Sequence, residues 1–367
     1  MRYSREDGCR AWLTCAEINP VRLRGLLNEW ETAEAVYDDV VHGKTDSLRE
    51  YCTERQLRIL LSRSDPHEMH EMMRTMQRLD IGILSIDDAD YPIALHDISD
   101  PPLLLFYRGD PTVLQERCLT IVGSRRASPE AIHITETVAK DLSDSGVTIV
   151  SGLAFGIDSA AHTGCIEGKS PTVALCAAGL DSEYPVGNQA LARRILSDGG
   201  ALISEFPIGS TAAKWHFPVR NRVLSGLSRG VLLMEARIRS GSMTTVQHAL
   251  DQGREVFAHP GVVGSKWSEG THQILREGAR YFTTAKDVLE DLGWDEETPP
   301  TQEQKSSLPA LNPTQMLVLT ALKGGERSFD QLAAQTGLAV PELTSTITIL
   351  QLFGLIRALP GKCYCAV

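Results

Sequence analysis

Nine residues, Lys214 to Arg222 (K-W-H-F-P-V-R-N-R), gather the cations Lys214, Arg220 and Arg222 and the flat rings Trp215, His216 and Phe217. Cations neutralise backbone phosphates whatever the base sequence, and rings give unpaired bases a stacking surface at about 1–3 kcal/mol per base. The mixture suits single-stranded nucleic acid, because a duplex hides its base faces. The same run also fits a loop that Trp215 and Phe217 anchor to a core while the charges stay in water. A net charge of −11 argues against a chain that coats nucleic acid through its overall field. From Lys214 to Arg239, however, the charged residues are Lys214, Arg220, Arg222, Arg229, Glu235, Arg237 and Arg239, so a local basic patch is available.

Further candidates lie in glycine- and hydroxyl-rich segments: I-V-G-S-R-R-A-S (121–128), S-G-L-A-F-G-I-D-S-A-A-H (151–162), A-A-G-L-D-S-E-Y-P (177–185), S-E-F-P-I-G-S (204–210), E-A-R-I-R-S-G-S-M-T-T (235–245) and H-P-G-V-V-G-S (259–265). Such turns bring backbone N–H groups close to a phosphate when they lead into helix N-termini. A dinucleotide enzyme would show G-x-G-x-x-G after its first strand. Here the turn is Gly123-Ser124-Arg125, which sets a guanidinium fork where an anion would arrive. Arg125 could instead pair with Glu205 or Glu235. Asp158 and His162 stand four apart on one helical face, with Glu205 and Glu235 ending neighbouring strands, so a nucleotide-processing hydrolase is the rival reading. Against it, Asp158 falls in a first helical turn, where a carboxylate complements the dipole, and His162 can be its packed partner. No Ser-His-Asp order, G-x-S-x-G elbow or P-loop lysine appears, and the P-G-G-x-G-T-x-x-E stretch of phosphoribohydrolase-like proteins is missing. His67 and His70 are three apart rather than the four a zincin helix needs, so His67–Leu79 reads as an amphipathic helix with methionines inside, not a metal site. A third reading makes the chain mainly a protein-interaction scaffold.

The positioning elements follow from periodicity. Residues up to about 78 carry apolar positions three and four apart, as in Val21–Trp30 and Glu54–Leu61, and predict a small helical domain. From Cys118 to Leu292 short apolar runs alternate with helical segments. Strands are expected at Leu119–Val122, Val147–Ser151, Thr172–Ala177, Ala201–Glu205, Val231–Glu235, Glu255–Ala258 and Ala279–Phe282. Helices are expected at Glu130–Ser145, Ile157–Glu167, Gln189–Ser197, Arg220–Ser225, Thr244–Asp251 and Gly270–Glu277. The alternation means a doubly wound α/β domain with a mainly parallel sheet, and two apolar runs before Gly109 extend that sheet at one edge. Residues 295–312 are polar and proline-bearing and read as a linker. The segment 313–367 predicts three helices and a hairpin turning at Pro360–Gly361, a winged-helix-like order. Its third helix, Pro341–Leu352, has no Lys or Arg, so it reads as a packing or protein-contact element rather than a reader of DNA.

Taken in order, G-S-R, S-G-L-A-F-G-I-D-S-A-A-H, G-L-D-x-x-Y-P, I-S-E-F-P-I-G, K-x-H-F-P-x-R-N-R-x-x-x-G-L-S, S-G-S-M-T-T and F-A-H-P-G resemble the DprA/Smf family of DNA-processing proteins, over about Tyr91 to Phe282. The resemblance implies an extended Rossmann-like fold, with an N-terminal SAM-like helical domain (1–78), the Rossmann-like domain (79–294), a linker (295–312) and a winged-helix-like domain (313–367). It implies a homodimer that binds single-stranded DNA and helps RecA load on strands coated by single-strand-binding protein, with no cofactor and no metal. Carried onto this sequence, it assigns DNA contact to Gly123, Ser124 and Arg125, to Ser151, Gly152 and Gly156, and to Lys214, Phe217, Arg220, Asn221 and Arg222. In this reading the four cations hold phosphates, Phe217 stacks on or wedges against a base, and the N–H groups of Gly123, Gly152 and Gly156 complete an anion path. Ala212 departs from the family, where a proline is common, which leaves loop rigidity there open.

The 367 residues, 42% hydrophobic and 23% charged, suit an ordinary soluble chain of two or three domains. Eight scattered cysteines without a C-x-x-C pair indicate neither a zinc site nor a disulfide framework. Charges interrupt the start of the chain and no apolar run reaches a membrane span, so a cytoplasmic location is expected.

Overall fold

Each of the seven expected apolar runs forms a strand, and the two runs before Gly109 add two more. The structure, a computed structural model, describes residues 3–115, 117–182, 185–294, 312–322, 327–352, 355–359 and 363–366. Strands β1 (Gly82–Ser85) and β2 (Leu104–Gly109) precede β3 (Cys118–Val122), β4 (Thr148–Ser151), β5 (Thr172–Leu175), β6 (Ala201–Ser204), β7 (Gly230–Leu233), β8 (Glu255–Ala258) and β9 (Arg280–Tyr281). They form one sheet in the order β1-β2-β6-β5-β4-β3-β7-β8-β9. From β6 through β9 every pair is parallel, whereas β2 pairs antiparallel with both β6 and β1. The chain runs outward from β3 to β6, then returns to the other side of β3 with β7. That reversal opens a crevice at the carboxyl ends of the central strands.

Alternate strand residues feed two cores. Val122, Val150, Val231 and Val256 pack on one face with Val223, Leu224 and Val246. Leu119, Ile121, Ile149, Leu232 and Phe257 pack on the other with Val138, Leu142, Ile157 and Phe282. Both faces are therefore covered, the condition under which a parallel sheet is stable.

Helices α1 (Arg5–Thr14), α2 (Pro20–Trp30), α3 (Ala33–Val41), α4 (Glu54–Ser62) and α5 (Pro66–Arg78) gather around Trp12, Leu26, Val36 and Leu60. Met69 and Met76 are buried along α5, as its spacing predicts. Ala11 and Met76 pack with Leu104, Phe106 and Leu202 of the antiparallel edge. The helices and the sheet thus share one unit, Met1–Asp295.

Helices α6 (Ile93–His96), α7 (Pro129–Asp144), α8 (Ile157–Ile166), α9 (Gln189–Ser197), α10 (His216–Gly226), α11 (Gly241–Asp251), α12 (Glu269–Arg276) and α13 (Ala285–Leu292) connect the strands. Ser128 caps α7, accepting from the Ala131 N–H, and Pro129 follows at the first helical position. Helix α10 begins at His216 rather than Arg220. Pro218 is tolerated because first-turn N–H groups have no intrahelical acceptor to lose.

The second unit, Glu296–Val367, holds α14 (Pro313–Leu322), β10 (Arg327–Ser328), α15 (Phe329–Thr336), α16 (Val340–Leu352), β11 (Ile356–Leu359) and β12 (Cys363–Ala366), with strand order β10-β12-β11. Val318, Leu332, Leu343, Ile347 and Ile356 form its core. The linker and the Pro360–Gly361 turn lie outside the described residues, apart from Asn312. Among the described residues no helix is long and apolar enough to cross a membrane.

Candidate nucleic-acid interface

A cavity of about 420 Å³ opens at the carboxyl ends of β3, β4 and β7. Gly123, Ser124 and Arg125 enter it after β3, Ala154 after β4, and Arg237 and Arg239 after β7. Helix α10 supplies Phe217, Arg220, Asn221 and Leu224, positions i, i+3, i+4 and i+7 of one helical stripe. Four arginines thus face one carboxylate, Asp158.

At the mouth, guanidinium and ring are paired twice. Arg125 Cζ lies 4.6 Å from the Phe217 ring centroid and Arg237 Cζ 4.0 Å from that of Trp267. Stacking of this kind holds an exposed arginine in place without consuming its N–H donors, which stay available to phosphate. Arg125 pairs with neither carboxylate considered for it. Glu235 accepts from the Ser128 N–H and hydroxyl, and Glu205 receives Arg222.

The floor is built differently from the expectation. Arg220 is buried and its Nη1 donates to Leu175 O at 2.7 Å. Its positive charge compensates Asp158, whose carboxyl is pushed above its ordinary value by burial and pulled back by Arg220. The Asp158 carboxylate accepts from the Ala154 N–H at 3.3 Å.

The three glycines are needed for close approach. A Cβ on Gly152 would overlap the Arg220 guanidinium, and one on Gly123 would come within 2.6 Å of Ile157 Cγ1. Gly156 adopts φ +76°, and a Cβ there would strike the Ser124 carbonyl. Ser151 is fully buried and donates to Ile121 O at 2.7 Å, which makes it a strand-pinning residue. Asn221 lines the cavity but spends its Nδ2 on Gly241 O at 3.3 Å.

Arg222 requires a correction. It lies on the opposite stripe of α10 with Trp215, Pro218 and Val219, lining a separate cavity of about 510 Å³ towards α1 and α2. There it is ion-paired with Glu205 and, at 3.1 Å, with Asp100, its side chain 7% exposed. That cavity is the larger, yet its cation is neutralised and its walls are mostly apolar, so the smaller one has the charge for an anionic ligand. Lys214 is exposed just ahead of α10 and lines neither cavity. Trp267, Arg237 and Arg239 line the smaller cavity and are absent from the residues assigned to DNA contact, although the two arginines belong to the basic patch read from the sequence. Alternation of arginine and hydroxyl in R-I-R-S-G-S was the available signal for Arg239.

The Asp158–His162 pairing does not form. His162 is fully buried, its Nδ1 2.8 Å from Thr172 Oγ1, and that hydroxyl donates to Ile149 O. The imidazole is the donor there and stays neutral. Burial, and then the charge of Arg220, push its pKa down to about 3. An unfolded histidine takes a proton below about pH 6.5. Stability is therefore expected to fall as pH drops from about 6.5 towards the folded value, at about 1.4 kcal/mol per unit for this group. Urea unfolding of His162→Gln over that window should show a pH slope shallower by one proton. Equal slopes in the two proteins would show that His162 is not held neutral.

Residues 82–293 match the family described as DNA recombination-mediator protein A, and residues 302–362 match the DprA winged helix domain. Protein Smf of Escherichia coli is 38% identical over 286 residues, covering 76% of each chain. The DNA processing protein DprA of Streptococcus pneumoniae is 42% identical over 208 residues, 57% of this chain and 73% of that one. The crystal structure of the pneumococcal protein superposes with a TM-score of 0.66 at 30% identity, over 79% of this chain and 99% of that one. A structure of the Helicobacter pylori DNA processing protein A, described for its single-stranded DNA binding mode, gives 0.53 at 28% identity, over 59% and 96%. With the mixed sheet, its glycine-turn crevice and a winged-helix segment all in place, this chain belongs to the DNA recombination-mediator protein A (DprA/Smf) family.

Proposed function

We propose that the chain binds single-stranded DNA across the crevice at the carboxyl ends of β3, β4 and β7, as part of DNA processing in transformation. The observation that carries this reading is the double pairing of guanidinium with ring at the cavity mouth, Arg125 on Phe217 and Arg237 on Trp267. Each pair presents N–H donors beside a flat apolar face, the two things an unpaired nucleotide offers partners for. The Helicobacter pylori relative, described for its binding of single-stranded DNA, supports the same reading.

The cavity holds its ligand without transforming it. The one carboxylate in its wall is balanced by the charge of Arg220 and accepts from the Ala154 N–H, and His162 is sealed in the core as a neutral base. The family resemblance extends the proposal to a cytoplasmic homodimer that delivers RecA to strands covered by single-strand-binding protein. Fluorescence anisotropy with matched single- and double-stranded oligonucleotides over a salt series tests the central claim. The single strand should bind more tightly, with log K falling linearly in log[salt]. Equal affinity for duplex, or no binding, would overturn it, and nucleoside-phosphate turnover abolished by Glu235→Gln would put the hydrolase in its place.

A further inference from the structure

The amino ends of the strands carry a second set of arginines. Arg117, Arg229 and Arg254 each stand one residue ahead of a strand, β3, β7 and β8 respectively. Those strands are adjacent and parallel, and the register that pairs Leu119 with Gly230 and Gly230 with Glu255 sets the three arginines within one residue of level. They therefore stand at one edge of the sheet, on strands about 4.8 Å apart, Arg229 and Arg254 level with each other and Arg117 offset by one residue towards the face where Trp294 packs. All three line one open cavity of about 430 Å³ with Trp294, whose ring centroid lies 5.6 Å from Arg117 Cζ. Among the described residues no carboxylate lines it.

Part of this arrangement is structural. Arg254 Nη2 donates to Ala94 O at 2.6 Å and to Gly226 O at 3.0 Å, where it complements the carboxyl end of α10. Burial lowers its pKa; Asp97 works against that and Arg229 adds to it. Helix capping accounts for Arg254 and Arg117 lies over the Trp294 ring, but among the described residues neither of the exposed Arg117 and Arg229 is ion-paired with a carboxylate. Like charges set side by side repel, and in a chain of net charge −11 they are not a by-product of basic composition. An oxyanion with several acceptors relieves the repulsion and matches guanidinium forks.

We propose that Arg117, Arg229, Arg254 and Trp294 form a second phosphate-binding site, at the end of the sheet opposite the Arg125 cavity. Phosphate reaches such a site on a nucleic-acid strand or as a free ion, and one double variant separates the sources. Arg117→Gln with Arg229→Gln spares the carbonyl bonds of Arg254. Two readouts are compared with the unaltered chain: anisotropy of oligo-dT, one short enough to fill only the Arg125 cavity and one long, over a salt series; and thermal unfolding in inorganic phosphate against chloride at equal ionic strength. On a nucleic-acid strand, the variant should bind the long oligonucleotide about tenfold more weakly, with a salt slope lower by about 1.4 and the short one unaffected. If only the protection by inorganic phosphate is lost, the site takes the free ion. If neither readout differs from the unaltered chain, there is no second site. An unaltered chain that binds neither oligonucleotide would refute the proposed function while the phosphate arm still decides this one.

Discussion

Arg125→Ala combined with Lys214→Ala is expected to weaken oligo-dT binding about 100-fold at moderate salt and to lower the salt slope by about 1.4, the release of two single-strand phosphate contacts. The magnitude follows from geometry. Arg125 is exposed, stacked on Phe217 and free to turn its donors outward, so its contact with phosphate is charge-assisted and worth about 1.5–3 kcal/mol. Its loss also releases the Phe217 ring from its stacked position, which costs base stacking. Lys214 sits three residues before Phe217 and is exposed, so it adds a longer-range phosphate contact of smaller size. Two such losses sum to about 2.7 kcal/mol, or two powers of ten. Arg125→Lys should fall in between, because it keeps the charge but not the planar stack. Neither side chain is buried, so thermal unfolding should be unchanged, and any loss of binding is then a loss at the site. Normal affinity and an unaltered salt slope in the double variant would remove the crevice as the DNA site.

The sheet was legible because its central strands obey one rule. Each strand from β3 to β7 is a short apolar run bounded by glycine or polar residues, and in a two-faced parallel sheet both side-chain sets are buried, so the run is continuous and easy to place, whereas the edge strand β9 (Arg280–Tyr281) is neither apolar nor buried. The cavity was legible in its loops for a related reason, since carboxyl ends of strands in this topology must converge. What the sequence reading lacked was the rotation of one helix. Arg220 and Arg222 both fall in the helix expected at Arg220–Ser225, where two residues correspond to a turn of about 200° and place them on opposite faces; assigning both to a common rim overlooked that rotation. Trp267 was invisible for another reason: it comes from a distant loop, and only the return of the chain past β8 brings its ring under Arg237. The glycine turns show a further limit. Gly123, Gly152 and Gly156 match an anion-cradling pattern, yet the contacts that exclude a Cβ are with Ile157, Arg220 and Ser124. Sequence identified where the backbone must come close without identifying what it comes close to.

Arg222→Ala distinguishes the two faces of α10, and its expected effect is on folding rather than on DNA. The guanidinium bridges Glu205 and Asp100 in a site where Arg222 Nη1 and Glu205 Oε2 have no further hydrogen-bond partner, so each charge depends on the other. Removing one member of a buried ion pair costs about 3–5 kcal/mol, because the remaining charge is stranded away from water. For a unit of this size that corresponds to a fall in melting temperature of about 10 °C. Burial already raises the Glu205 carboxyl above its ordinary value while Arg222 opposes the rise. Without Arg222 the rise is unopposed, and a carboxyl with a raised folded pKa contributes stability at low pH that is lost as pH climbs through that value. The variant should therefore be less impaired in mild acid than at neutral pH. Adding Glu205→Gln should recover part of the deficit, since it removes the stranded charge. Oligo-dT affinity of the folded fraction should remain within about threefold of the unaltered chain, less than the tenfold that 1.4 kcal/mol represents. An arginine that held a phosphate would behave the other way, losing affinity and salt dependence with its melting temperature intact, and that outcome would return Arg222 to the DNA-binding rim.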